Sequence, residues 1–456
     1  MSYRLSGGLS AEQIRDIYVK AKELLFKMGM TIGGKVGGVL NGRPGYQVCG
    51  DVIRISPERV DECVEAAKSK FPDEPQEEWE LELLSSYPIY DYDFRTRKHC
   101  LMTTDKVVEL TKLADVLFDK GVRGSTPGVP QDVPPGLRHL MCLLIGARYS
   151  RFGPDAPISS PETAQWMLPM LEVAGKEPNF GLFILNPLCC EGNTLDTLAM
   201  YPDRFKTITV GSMPMMGLTA PIDLIGATIL AIAAALGAMS IAMEFAPAAK
   251  YYLEPRVWAM NFLNMSIEYG SPETTLSAVI CDQFLREFGL ECGGSKAFHS
   301  SAVMPDAQAN GQRGACGLVD ALNGVRKFTF GGLLATDMVF SAHQLLFDIE
   351  LISYYKKVCD GFSFDTGTQL EKITAVGPAG DYLGEEDTLK ECRNVWSSRL
   401  WDFSSIDSFL NGTGCDIMDR ASEQIEKLIG THEYNIDAIR LKELNKIYES
   451  SKKHLS

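Results

Sequence analysis

Leu224–Met243, LIGATILAIAAALGAMSIAM, is twenty residues long and carries no charge. By count it is long enough to cross a bilayer, which takes about 20 apolar residues. Its composition argues otherwise. Much of it is Ala and Gly, which contribute little to insertion, and no Lys/Arg cluster flanks it to set an orientation. Pro221 suits a first helical turn, Ile222–Leu236 reads as a helix, Gly237 supplies a stop, and Met239–Phe245 (MSIAMEF) reads as a short buried strand. A buried helix feeding a buried strand is what a parallel sheet covered by helices requires. The stretch is therefore expected in the core of an α/β protein, with no membrane involved.

The rest of the chain agrees. Apolar residues make up 45% of its 456 residues and charged residues 23%, which excludes disorder and low-complexity fibre. Lys+Arg number 44 against 59 Asp+Glu, a net charge of −15 with no basic block, which argues against nucleic acid. The opening MSYRLSGGLSAEQ contains no apolar segment of signal-peptide length. Twelve Cys are scattered through a chain that needs no staples, so they read as free thiols of a cytoplasmic protein. Adjacent Cys189 and Cys190 have no CxxC partner and no nearby His, and read as packed thiols rather than metal ligands.

Outward from residues 224–243 the pattern is rhythmic. Short β-prone runs occur near Val122 (VRGSTPG), Ser150 (SRFG), Gly181 (GLFILN), Thr207 (TITVGS), Met239 (MSIAMEF), Trp258 (WAMNFL), Ala297 (AFHSS) and Lys327 (KFTFGG). Helical patterns fall between them, over Pro135–Ile145, Glu162–Ala174, Pro272–Phe288 and Asp306–Leu322. Eight strands alternating with helices predict right-handed βαβ units and a (β/α)8 TIM barrel; no GxGxxG follows an early strand to favour an open nucleotide-binding sheet. Residues 1–85 read as an N-terminal accessory helical region. It has a helix over Ala11–Met28 capped by Ser10, a second from Pro57 to about Lys70, and the acidic linker FPDEPQEEWE (71–80). SYPIYDYDF and KHCLM resemble a strand pair. Residues 86–360 form the expected barrel, and 361–456 a C-terminal helical extension.

In such a barrel the site lies just past the C-terminal ends of the strands. None of the six His forms HxH or HExxH, and no metal site is expected; no GxSxG elbow or P-loop occurs either. Several residues stand out, each with a structural alternative. Glu244 is a lone carboxylate closing an apolar run, and suits a site role or a salt bridge within the barrel. Phe328 and Phe330 alternate on one strand, so both should point to one face, as barrel core or as aromatic walls for a cation. His299 is a ligand contact or a hydrogen-bonded loop residue. Arg313 could grip a carboxylate or serve an ion pair, and His343 could do the former or simply pack.

The segments GSMPMMGLTAPIDLIGATILAIAAA (211–235), YGSPE (269–273), MPDAQA (304–309), VGPAGDYLGEEDT (376–388), SRLWD (398–402) and STPGVPQDVPPGLRHL (125–140) resemble the trimethylamine:corrinoid methyltransferase family, in the same order over residues 10–402. The resemblance implies a (β/α)8 barrel whose mouth receives a cobalamin-bearing corrinoid protein, with no cofactor held permanently by the barrel itself. A methyl group passes from an amine to Co(I). The trimethylamine enzymes of this family carry pyrrolysine; all 456 residues here are standard. The chain thus resembles the members that act on quaternary amines such as glycine betaine, proline betaine or carnitine. Displacement at such a methyl releases a neutral tertiary amine and needs no general acid, so the protein's task is positioning. The expected pocket has Phe328, Phe330 and Phe298 around the N-methyl end, Glu244 near the cationic nitrogen, and Arg313, His299 or His343 on the substrate carboxylate. A homo-oligomer is expected by base rate. The alternative is a catalytically silent barrel that binds quaternary amines or serves a structural role.

Overall fold

The computed structural model describes residues 5–68, 78–362, 364, 366–412 and 414–455. The linker expected over 71–80 lies outside these as far as residue 77. Seven parallel strands carry the architecture: β1 (Glu80–Glu82), β2 (Val122–Arg123), β3 (Asn179–Leu185), β4 (Thr207–Ser212), β5 (Lys250–Pro255), β6 (Glu291–Cys292) and β7 (Lys327–Thr329). They lie side by side in the order β3-β4-β5-β6-β7-β1-β2, with β6 and β7 joined by a single bridge between Ser295 and Phe328. Among the described residues no ladder joins β2 to β3. The end of β3 pairs instead with Cys189–Cys190, which continues into Met30–Ile32 and the hairpin Tyr46–Cys49/Val52–Ile55. The βα rhythm is present; hydrogen-bonded closure of an eight-stranded barrel is not.

Each strand turns one face outward. Phe180, Leu182 and Ile184 of β3, Ile208 and Val210 of β4 and Leu253 of β5 are buried in one large core. Helices supply the other side of that core: α1 (Ala11–Lys27), α2 (Pro57–Ala67), α3 (Leu224–Met243) and α4 (Pro272–Glu287). A second core gathers α5 (Ala307–Leu322), α6 (Ala342–Asp360) and Ile417–Ile429 around β1, β2 and β7. The expected strand pair is Tyr90–Asp93 antiparallel to Lys98–Leu101.

Residues 224–243 form one continuous helix, not a helix and a strand. The Asp223 carboxylate caps it by accepting from Gly226 N at 2.9 Å. Ala, Leu, Ile and Met continue the helix through the expected break. Gly237 is not a stop: a Cβ there would collide with Met30 and Leu25, so the glycine lets α1 and the strand Met30–Ile32 approach the helix. Sixteen of the twenty residues are buried by the protein's own chain, which makes this a core helix. The only polar side chains in it, Thr228 and Ser240, return their hydroxyls to the carbonyls of Leu224 and Leu236.

The loss of MSIAMEF as a strand moves its place to Lys250–Pro255 (KYYLEP), which the sequence reading passed over because Lys250, Glu254 and Pro255 break the apolar run. SRFG is a turn, AFHSS is not a strand, and WAMNFL supplies one side of a short hairpin, Ala259–Asn261 with Ser266–Glu268.

Candidate active site on the inner face of the sheet

The inner face is built from residues that alternate with the outward core. In-register pairing sets Phe183 of β3 beside Gly211 of β4, and Gly211 beside Glu254 of β5. Directly paired residues of parallel strands face the same way, so these three share one row. Phe183 and Glu254 are two strand spacings apart, about 10 Å between their Cα atoms. Gly211 sits between them without a side chain, and the Phe183 ring lies across it: a Cβ on Gly211 would fall inside the ring's contact shell, as would one on Gly181. One ring face thus rests on bare backbone and the other is open, leaving Phe183 56% exposed in the middle of a strand whose neighbours are buried.

Glu254 is seated in the same manner. A Cβ on Gly293 would collide with its carboxylate, so that glycine makes the carboxylate's place. Glu254 is 5% exposed and pairs with Lys296 Nζ at 2.8 Å. The Lys296 ammonium also stands 4.4 Å from the centre of the Phe330 ring. Phe330 stacks on His299, centroids 3.7 Å apart and 11° between planes, and His299 Nε2 meets Asp337 Oδ1 at 2.8 Å. Tyr269 and Trp258 close the other sides of His299. Burial holds the imidazole below its usual pKa despite the opposing pull of Asp337, so His299 is neutral near pH 7. Three buried donors or acceptors in this neighbourhood, His299 Nδ1, Trp258 Nε1 and Arg256 Nε, have no hydrogen-bond partner among the described residues. On the far side of the sheet Lys327 pairs with Glu82 at 2.8 Å and Arg123 with Glu80 at 2.9 Å, so the inner face is polar where the outer face is not.

Past the strand ends stands an apolar rim. Leu218, Ile222, Phe262, Leu263 and Met265 are all more than half exposed. Phe262 and Ile222 meet over Gly217, whose φ of +80° turns the 213–220 loop toward the hairpin.

Of the residues singled out from the sequence, the structure brings together His299 and Phe330. The other five lie elsewhere. Glu244 is not at a strand end. It is the C-cap of α3, a helix that starts beyond the C-terminal end of β4 and finishes before the N-terminal end of β5, opposite the apolar rim. There its carboxylate is held by Arg43 and Arg59, which tie the N-terminal region to α3. Burial opposes ionisation of Glu244, but the two guanidinium groups outweigh it and keep its carboxyl below the usual value. Phe298 and Phe328 are fully buried and stack on each other at 5.3 Å in the second core, Phe328 also facing Trp79. The expectation that Phe328 and Phe330 share a face fails because β7 ends at Thr329 and Phe330 takes a left-handed φ of +72°, which breaks the period of two. Arg313 is wholly buried, paired with Asp348 at 3.2 Å and donating to the Leu333 and Ala309 carbonyls, so its guanidinium joins α5 to α6. His343 bonds Ser422 Oγ at 2.8 Å and packs on Phe94.

The sequence reading missed Phe183, Glu254 and Lys296. A signal existed: GLFILN puts an aromatic two residues after a glycine, with another glycine in the next strand's TITVGS, but only the register shows that Gly211 and Phe183 meet.

Comparison with known proteins fits this arrangement. The family profile Trimethylamine methyltransferase (MTTB) matches residues 3–455. The chain is 24% identical over 424 residues to the glycine betaine methyltransferase of Desulfitobacterium hafniense, covering 88% of each protein. It is 26% identical over 288 residues to the trimethylamine methyltransferase MttB of Methanosarcina barkeri, covering 62% of this chain and 58% of that protein. Among solved structures it resembles the Methanosarcina barkeri monomethylamine methyltransferase MtmB, with a TM-score of 0.48 at 13% identity over 93% of this chain and 88% of that one. The match along nearly the whole chain makes this protein a methyltransferase of the trimethylamine methyltransferase (MTTB) family.

Proposed function

We propose that the chain takes a methyl group from a quaternary amine of the glycine betaine type and passes it to the corrinoid of a partner protein, releasing a tertiary amine. The observation that carries this reading is the inner-face row in which the open Phe183 ring and the Glu254 carboxylate flank the Gly211 gap. An aromatic face attracts a quaternary ammonium by about 0.5–2 kcal/mol, and it does so without a hydrogen-bond donor, which a fully alkylated nitrogen cannot use. The likeness to a glycine betaine methyltransferase along 88% of the chain supports the same substrate class.

The corrinoid, carried in its Co(I) form by the partner, supplies the nucleophile. The chain's own residues position the methyl group. Phe183 holds the cation from below, and Glu254 supplies negative charge beside it. Lys296 tempers that charge, which matters because the positive charge leaves the nitrogen as the methyl departs. A site that held the cation too strongly would slow the step. Neutral His299, stacked on Phe330, fixes the aromatic wall without adding positive charge. The apolar rim of Leu218, Ile222, Phe262, Leu263 and Met265 offers the partner protein a surface at the end of the sheet where the inner row opens.

The same reading completes the fold as a (β/α)8 barrel, with the extended segment around 154–158 filling the place between β2 and β3. Asp155 O accepts from Ser86 Oγ at 2.8 Å, which holds that segment against the chain leaving β1. All twelve cysteines are free, in keeping with a cytoplasmic protein. The test is a parallel assay with reduced Co(I) cobalamin and glycine betaine, proline betaine, carnitine and trimethylamine, read as loss of the Co(I) spectrum. Reaction with at least one quaternary amine supports the proposal. Reaction with trimethylamine alone overturns it.

A further inference from the structure

Beyond Asp360, at the end of α6, the chain leaves the body, and it returns at residues 394–401. Both ends of the excursion are fastened: Lys357 Nζ donates to Asn394 O at 2.9 Å, Trp396 Nε1 donates to Ser353 Oγ at 3.1 Å, and Tyr354, Trp396 and Trp401 pack ring against ring. Between these points lie α7 (Gln369–Val376) and α8 (Glu386–Glu391), linked by the Lys372–Asp387 ion pair. A second, shorter excursion over 403–412 carries α9 (Ile406–Leu410). None of the described residues of these three helices is buried.

Their side chains are not those of a solvated surface. Leu370, Leu383, Leu389, Val395, Phe403 and Leu410 are each about two-thirds exposed or more. Together they present on the order of 700 Å² of apolar surface, compared with about 800 Å² contributed by each partner of a standard interface and the few hundred Å² that monomers leave open. Helices of five to eight residues are also far below the roughly 12–15 residues at which an isolated helix becomes even marginally stable in water. The chain gives them no core of its own to pack on, so their order must come from another surface.

We propose that residues 362–395 and 403–412 form an arm that packs on a second copy of this chain. The area is that of a stable protein–protein interface. The arm's position separates it from the methyl acceptor's approach: α6 follows β7 and runs back along the sheet, so the arm is rooted at the end opposite the Leu218–Phe262–Leu263 rim. A two-fold pairing would bury the arm of each copy by the same contacts, the commonest way homo-oligomers close.

The experiment is sedimentation velocity of the full chain at micromolar concentration, for the wild type, for Leu383→Glu/Leu389→Glu in the arm, and for Leu263→Glu on the rim. The proposal expects a dimer or higher assembly for wild type and Leu263→Glu, and a monomer with unchanged far-ultraviolet circular dichroism for the arm variant. Amide exchange in wild type over 369–376 and 386–391 should slow as protein concentration rises. A monomeric wild type overturns the proposal, as does an arm variant that stays assembled, a rim variant that dissociates, or exchange in the arm that does not depend on concentration.

Discussion

The ring of Phe183 lies over Gly211, the one residue that separates it from Glu254 along the inner face of the sheet. A large aromatic is open to solvent there only because its neighbour has no side chain. Gly211 keeps an ordinary backbone conformation, so its requirement is space rather than a left-handed turn.

Adding one carbon there tests this. Gly211→Ala puts a Cβ into the Phe183 ring and must displace it, at a cost of about 1–3 kcal/mol where the ring cannot yield. The expected outcome in methyl-transfer kinetics is a KM for the quaternary amine raised tenfold or more. The circular dichroism spectrum should not change.

Phe183→Leu keeps most of the apolar volume and removes the ring. Loss of about 0.5–2 kcal/mol of cation–π attraction corresponds to a two- to thirty-fold weaker binding of the amine. Phe183→Tyr should retain binding, and titration calorimetry with glycine betaine distinguishes the two.

Glu254→Gln removes the partner of Lys296 and leaves a poorly solvated ammonium beside the cation site. Breaking a buried pair this way costs more than the pair contributes. Both binding and turnover of a cationic substrate should fall by more than tenfold. Replacing both residues, with Glu254→Gln and Lys296→Met, should recover part of the loss.

Glu244 is the contrasting carboxylate. Held by Arg43 and Arg59 at the opposite end of α3, it ties the N-terminal region to the core. Glu244→Gln should lower stability by about 1–3 kcal/mol, a range reduced for the partial exposure of Arg43. Turnover per folded molecule should be unchanged, as active-site titration alongside thermal denaturation would show.

His343 gives a pH dependence. Burial pushes its imidazole down to about 4 from an ordinary value of 6.5. The unfolded chain therefore binds a proton that the folded chain refuses between those values. Its contribution to stability is complete above pH 6.5 and is lost as the pH falls toward 4. His343→Gln, which can keep a hydrogen bond to Ser422, should flatten the fall in melting temperature over that interval relative to wild type.

The sequence made the α/β rhythm legible, because βαβ alternation leaves its mark in hydrophobic period and in helix caps: Ser10 caps α1 and Asp306 caps α5 as the spacing implies. It misread what depends on tertiary contact. Gly237 looked like a helix stop and is a point of close approach to Met30 and Leu25. Lys250–Pro255 did not look like a strand because its inner-facing residues are polar, as an inner face that serves a site requires. The candidate site was legible in kind, an aromatic wall with charge nearby, and His299 and Phe330 do belong to one cluster. Phe298, Phe328 and Arg313 could not be told from site residues by type alone, since a buried aromatic and a buried arginine serve cores equally well. Phe183 became visible only through the register that pairs it with a glycine.

The central claim is that the chain demethylates a quaternary ammonium. The most direct measurement incubates it with reduced cobalamin and glycine betaine carrying deuterated N-methyl groups, and follows both products by mass spectrometry. The account predicts deuterated methylcobalamin and dimethylglycine in equal amounts, with both greatly reduced in Phe183→Leu. Absence of labelled methylcobalamin from every quaternary amine tried, with transfer from trimethylamine under the same conditions, would contradict it.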